Sequence, residues 1–441
     1  MAVFAALKVK SWIKDVTDMK NCKNRLVLLL IVLLLFQGAI SCGNRSQVVN
    51  YEMPKQAAHT LSFFGNKYEA VNVEVIEDIM NGYMDQNPDI NVIYESIKGS
   101  AYFESLRNRQ KTENLDDIFI VNHDTALEFA ADGSLADLSE LAEYIPFSKS
   151  MLEQMTSSDG NIYWMPATIS AFGLYCNLDL LHEHGHTVPK TLAQWKTICE
   201  SFVEKGVTPI VANNDISLKT LAEAVGFYPL YEKGIQKEVF ASISSKEKKL
   251  SSYLADGFTL IREFCDKGYI SPAQALKTEE TSDDLELFVQ GEAPFMLTGV
   301  WAAGRLKGMQ PVFSFRVVPY PVREDGSVLV IHPDVCLSIA ADGENQELAK
   351  DFADYFLKTE NLWRFADQQA SFCPLKDGYE PSMAEIQEIA RSYRTQNAVI
   401  ASDSFMQFPV WDILKETSQR LLAGQQLEEL MEWMDVQVME R

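Results

Sequence analysis

Asp117-Ile118-Phe119-Ile120-Val121 is the stretch on which the fold reading turns. It is a short apolar run with polar residues on both sides, and it carries no polar–apolar alternation. That pattern belongs to a strand covered on both faces, as in layered α/β proteins. The same rhythm continues outward. Thr60–Phe64 and Ile90–Ser96 read as strands, with an amphipathic helix of about four turns between them. Gly173–Cys176, Val207–Ala212, Pro294–Leu297, Phe315–Val318 and Val335–Ala340 follow as further strands, with helical patterns between most of them. No repeat of solenoid or propeller length is present. Near the carboxyl end Leu427, Leu430, Met431, Met434 and Val438 form one helical stripe facing a core.

In α/β sheets ligands bind beyond the carboxyl ends of the strands. Three such exits carry polar residues suited to a site: Phe64-Gly65-Asn66-Lys67, Val121-Asn122-His123-Asp124 and Ala212-Asn213-Asn214-Asp215. Each would also serve as a plain turn, since Gly, Asn and Asp favour turns on their own account.

The chain has 441 residues and a formal charge of −23. Nearly half the residues are apolar, enough for a large core. At the amino terminus Leu26–Phe36 (LVLLLIVLLLF) is one apolar run of 11 residues, preceded by Lys20, Lys23 and Arg25. A spanning helix needs about 20 residues, so the run fits a secretory signal instead. Met19 reads as a truer start than Met1. Ala39-Ile40-Ser41-Cys42 resembles a bacterial lipobox, with Cys42 as the lipidated residue, so residues 1–41 would be removed. The mature chain then has 33 basic and 60 acidic residues, a net of −27. A surface that acidic repels phosphate backbones and excludes nucleic acid as a partner. Residues 42–57 are polar and turn-rich and read as a tether. Five cysteines remain beyond the leader: Cys176, Cys199, Cys265, Cys336 and Cys373. Odd in number and scattered, they signal neither a disulfide framework nor a zinc site.

His182-Glu183-His184-Gly185-His186 satisfies the HExxH pattern letter for letter. Zinc chemistry needs both histidines on one helical face. Gly185 interrupts the segment and Pro189 follows closely, so the motif is read as a surface turn with no metal and no cofactor.

Several stretches, in order, resemble the extracellular solute-binding proteins of family 1, the sugar-binding kind, and most of all their maltose-binding branch. They are Phe119–Asp124 with Phe129–Leu135; Gly160–Pro166 running on through Gly173–Leu181; Pro189–Trp195; Phe288–Trp301; Val317–Pro321; and Glu347–Phe352. The likeness spans roughly residues 58–438. It implies a two-lobed periplasmic-binding-protein-like α/β fold with three hinge crossovers, expected near Pro166–Ala171, Pro319–Val322 and Ser371–Lys376. Prolines at those places suggest irregular backbone. Lobe 1 is expected over 58–168 with 322–372, and lobe 2 over 169–321 with 373–441.

Sugar binding takes flat apolar platforms together with planar polar groups. The resemblance places Trp301, Trp411 and Trp164 as platforms, and Asp124, Asn122, Asn66 and Lys67 as polar contacts. Asn213 joins them from its strand exit. Trp195, at a helix start, is expected to be structural. Val121 and Ser170 stand where maltose-binding members carry a Trp and a Glu, so a maltodextrin does not follow. The implied function is non-catalytic: a monomer outside the cytoplasm, anchored to the bacterial membrane by lipid on Cys42, passing a sugar to ABC permease subunits. The competing readings are a receptor for a polyamine, iron or a phosphate ester, and a secreted glycoside hydrolase. The last would need two carboxylates flanking the bond.

Overall fold

The computed structural model describes residues 47–49, 57–280, 282–377, 379–395 and 398–441. The apolar run at 26–36, Cys42 and most of the predicted tether lie outside them. The fold is mixed α/β, two sheet halves joined through shared strands. The strands are β1 (Gln47–Val49), β2 (His59–Gly65), β3 (Ile90–Ser96), β4 (Ile118–Val121), β5 (Met165–Asn177), β6 (Ile210–Val211), β7 (Phe295–Gly299), β8 (Phe315–Val318), β9 (Val330–Ile339) and β10 (Val399–Ile400). Their order is β1-β3-β2-β4-β9-β5-β7-β6, with β10 pairing to β9 and β8 to β5. Part of the expected tether is thus β1, paired antiparallel to the edge of β3.

Two strands carry the chain from one half to the other. The first part of β5, Met165–Phe172, pairs antiparallel with β9, and its second part, Phe172–Asn177, pairs with β7 and β8. The last residues of β9, Cys336–Ile339, pair with β4. Every residue of β5 is buried. The irregular backbone predicted for Pro166–Ala171 is therefore wrong: this segment is continuous strand. The prolines are tolerated because a third segment takes the unused backbone groups. Pro333 lies opposite Ile169 and has no N–H to offer. Ile169 instead exchanges both of its main-chain hydrogen bonds with Phe372, at 2.7 Å each. Val335, a buried β-branched residue in β9, has φ 49°. That left-handed conformation, beside Asp334, is strained for its type.

Two apolar cores flank this sheet. Along β7, Phe295 and Leu297 enter one and Met296 the other. Along β5, Ala171 and Phe172 are adjacent yet enter different cores. Helix α1 (Ala70–Gln86) covers the β2–β3 side, as its amphipathic pattern predicts. In the second half helix α2 (Ile216–Gly226) is buried from Ile216 through Ala224. It crosses α3 (Ser251–Asp266) at Gly257, where a Cβ would meet the Ala222 carbonyl oxygen at 2.4 Å. The carboxyl-terminal helix α4 (Leu427–Glu440) buries Leu430, Met434 and Val438 from the predicted stripe. It also buries Asp435, which accepts the Ser251 N–H at 2.9 Å and fixes the start of α3. The five cysteines in the described residues are free, four of them buried. The helix carrying His182 ends at Glu183, and Gly185 has φ 74°, so His182 and His186 do not share a helical face.

Candidate ligand-binding cleft

The strand exits of both halves converge on the paired strands β5 and β9. At the end of β2, Gly65 is required because a Cβ would overlap a Tyr94 ring carbon at 2.7 Å and the hydroxyl more closely still. Tyr94 then donates from its hydroxyl to the Lys67 carbonyl at 2.9 Å and pins the loop. Lys67 Nζ lies 3.4 Å from Asp334 Oδ2. Asp334 also accepts from Ser170 Oγ at 3.1 Å and from its neighbour's N–H, Val335, at 2.8 Å. Burial alone would raise the Asp334 carboxyl, but the Lys67 ammonium, His332 and these hydrogen bonds hold it below the usual carboxylate range. Asn66 Oδ1 is buried with no hydrogen-bond partner.

At the end of β4, Asn122 caps the helix that follows, His123–Ala131, accepting the Thr125 N–H at 2.9 Å in a capping box. Asp124 is buried and both its oxygens are engaged. Oδ1 lies 2.9 Å from His123 Nδ1, and Oδ2 accepts the N–H of Asp412 at 2.9 Å. Asp412 belongs to the first turn of the helix Val410–Leu422 in the second half, so this bond spans the cleft. Arg107 Nη2, 3.7 Å from Asp412 Oδ2, reinforces it.

Four rings meet at the centre. Phe172 of β5 lies edge-on to Trp301 at 5.5 Å and tilted to Trp411 at 5.7 Å. Trp411 stacks on the His332 imidazole at 5.1 Å and 10°. The Trp301 ring folds back over Gly299, where a Cβ would lie 2.1 Å from it. Lys219 Nζ sits 3.5 Å from the Trp411 ring centroid, a cation–π contact made by a fully buried side chain. Asp215 holds that ammonium at 2.5 Å and Lys415 at 2.7 Å.

His332 donates to or accepts from Ser402 Oγ at 2.7 Å. Burial pushes its imidazole down from 6.5 to about 4, against the pull of Asp334 and with the help of His123 and Lys219. Between those two values the folded state binds fewer protons than the unfolded one. Stability therefore falls as pH drops from 6.5 towards 4. His332→Gln is expected to lose that part of the slope, read from chemical-denaturation midpoints at pH 7 through 4. A variant with the parent's slope would show that His332 does not carry it.

A family model described as bacterial extracellular solute-binding protein matches residues 78–390. The chain belongs to that family. It is 21% identical to the multiple sugar-binding protein of Streptococcus mutans, over 76% of this chain and 80% of that one. Its fold matches a solute-binding protein, RafE, solved with raffinose, at TM-score 0.64 and 19% identity, covering 86% and 98% of the two chains. It also matches a structure reported with xylan utilisation by Caldanaerobius polysaccharolyticus, at TM-score 0.70 and 17% identity, covering 86% and 99%.

In this solute-binding fold the residues singled out from sequence separate into two groups. Trp301 and Trp411 share the central ring cluster, while Asn66, Lys67, Asn122 and Asp124 stand at the first-half exits. Trp164, just before β5, is 9% exposed and packed in the core on the first-half side. Asn213 is fully buried. Its Oδ1 accepts the N–H groups of Asp215, Ile216 and Ser217, and its Nδ2 donates to Asp284, so it caps α2. Trp195 is in the core, edge-on to Phe264 at 5.0 Å, as expected. Sequence reasoning missed Phe172, His332, Asp334 and Lys219. Phe172, Ser170 and His332 follow a period of two along paired strands. That signal was readable only with β9 drawn back to Val330.

Proposed function

We propose that this solute-binding protein holds a sugar or short oligosaccharide between its lobes and passes it to the permease subunits of an ABC importer. The observation that carries the reading is the ring cluster of Phe172, Trp301, Trp411 and His332 at the meeting of the two sheet halves. A pyranose presents C–H faces to such rings and hydroxyls to the polar groups at the rim. The relatives whose names specify sugars support the same class. Lys67 pairs with Asp334, and Lys219 and Lys415 share Asp215, so each ammonium already has a carboxylate partner, which favours an uncharged ligand over a phosphate ester. Both oxygens of Asp124 are occupied by the protein, which argues against a hydrolytic carboxylate there. Lobe 1 is assigned to 58–168 with 322–372 and lobe 2 to 169–321 with 373–441.

The test is a thermal-shift panel of maltotriose, raffinose, xylotriose and chitotriose, followed by product analysis. A raised melting temperature with the sugar recovered intact is expected. No shift with any sugar, or cleavage of the one that binds, would sink the receptor reading.

Anchoring through Cys42 belongs to the same proposal. Cys42→Ala is expected to move the protein from the membrane to the soluble fraction. Unchanged detergent-phase partitioning would rule the anchor out.

A further inference from the structure

We infer that Nε2 of His123 is the atom through which the β4 exit grips a sugar hydroxyl, with Asp124 acting on the ligand only through that ring. The inference rests on the receptor reading above and sharpens it. His123 is the first residue of the helix after β4, and its side chain is 7% exposed. Its Nε2 is buried and has no hydrogen-bond partner. Its other nitrogen is committed, 2.9 Å from Asp124 Oδ1.

The chemistry of the pair fixes the role. Asp124 accepts the Asp412 N–H on its second oxygen, so it acts as an acceptor on that side. In the neutral ring the Asp124 carboxylate facing Nδ1 keeps the proton on Nδ1, which leaves Nε2 with a lone pair. His332 on β9 and Asp403 after β10 lie within electrostatic reach of the ring. Nε2 is therefore an acceptor held at the meeting of the two halves, and a buried acceptor calls for a donor. A sugar O–H supplies one. A carboxylate or phosphate oxygen, having no proton, does not. His123 thus favours a ligand that brings a hydrogen-bond donor, as a sugar hydroxyl does, over a bare anion, while Asp124 is a positioning residue that also ties the first half to the helix Val410–Leu422.

The test uses the whole protein and the tightest binder among maltotriose, raffinose, xylotriose and chitotriose. His123→Asn keeps an amide that can donate to Asp124 and deletes the Nε2 acceptor. It is expected to bind about tenfold more weakly at an unchanged melting temperature, the loss of about one net hydrogen bond. His123→Gln carries its amide oxygen near the Nε2 position and is expected to recover most of the affinity. Parental affinity in both variants would overturn the inference. Should His123→Asn melt early, the parent decides the matter by itself. With 15N-labelled histidine, the unprotonated Nε2 resonance of His123 is expected to move on sugar addition, and a stationary resonance overturns the assignment. If no sugar binds the parent, the receptor reading fails and this inference falls with it.

Discussion

Trp301→Ala is expected to weaken oligosaccharide binding by about 2–4 kcal/mol, roughly thirtyfold to several-hundredfold. The ring is half-buried and bridges the two apolar cores, so one side is already fixed by Phe172 at 5.5 Å. It also closes over Gly299, which leaves it few rotamers to lose when a ligand arrives. Truncation removes both the contact area and the aromatic face against which sugar C–H groups rest. Calorimetric titration of parent and variant with the same sugar measures the loss, with a melting curve to show that the variant folds. Parental affinity in a folded variant would move the platform away from Trp301.

Asp215→Ala is expected to cost about 3–5 kcal/mol of folding stability, the usual consequence of leaving one partner of a buried pair uncompensated. Burial alone would raise the Asp215 carboxyl. The ammonium groups of Lys219 and Lys415 outweigh it and keep the group below the ordinary carboxylate range. Lys219 has no exposed side-chain surface, so without Asp215 its charge would rest against the Trp411 face alone. Glu223 offers no replacement as it stands. It is fully buried without a hydrogen-bond partner, and burial pushes its carboxyl well above the ordinary range, against carrying the charge that would replace Asp215. Lys219→Met should be milder, because Asp215 keeps its bond to Lys415 at 2.7 Å. Urea denaturation of the two variants gives the comparison. Equal or reversed losses would show that the bond to Lys415 does not compensate for the loss of Lys219.

Much of the frame was legible because short apolar runs bounded by turn residues have few other uses. Ile90–Ser96 and Phe315–Val318 are strands at the positions read from sequence. Prolines misled the reading of Pro166–Ala171, since the cost of a missing donor depends on where the facing strand sends its own groups. At Ile169 they go to Phe372, some two hundred residues away, and no local pattern reports that. The cleft was legible only in part for a related reason. Trp301 and Trp411 stand in stretches that resemble a family. His332 and Asp334 fall before the strand read from sequence, which begins at Val335, yet they lie on a strand that spans both halves. Asn213 misled in the opposite sense: a strand exit rich in Asn also suits a helix cap, and the cap is what the fold makes of it.

The paired run of β5 and β9 makes the joint between the halves a ribbon and not a pin. Seven residue pairs, from Met165↔Leu337 to Phe172↔Val330, lie in register across it. A loop hinge concentrates rotation in one or two dihedrals. A two-stranded ribbon resists bending and yields in torsion, spreading a small rotation over every residue along its length. Opening and closing would then proceed as a twist with a restoring torque that grows with angle, the ladder intact throughout. In such a device the amide protons of Ser170 and His332, which face each other in that ladder, remain slow to exchange whether or not a ligand is held.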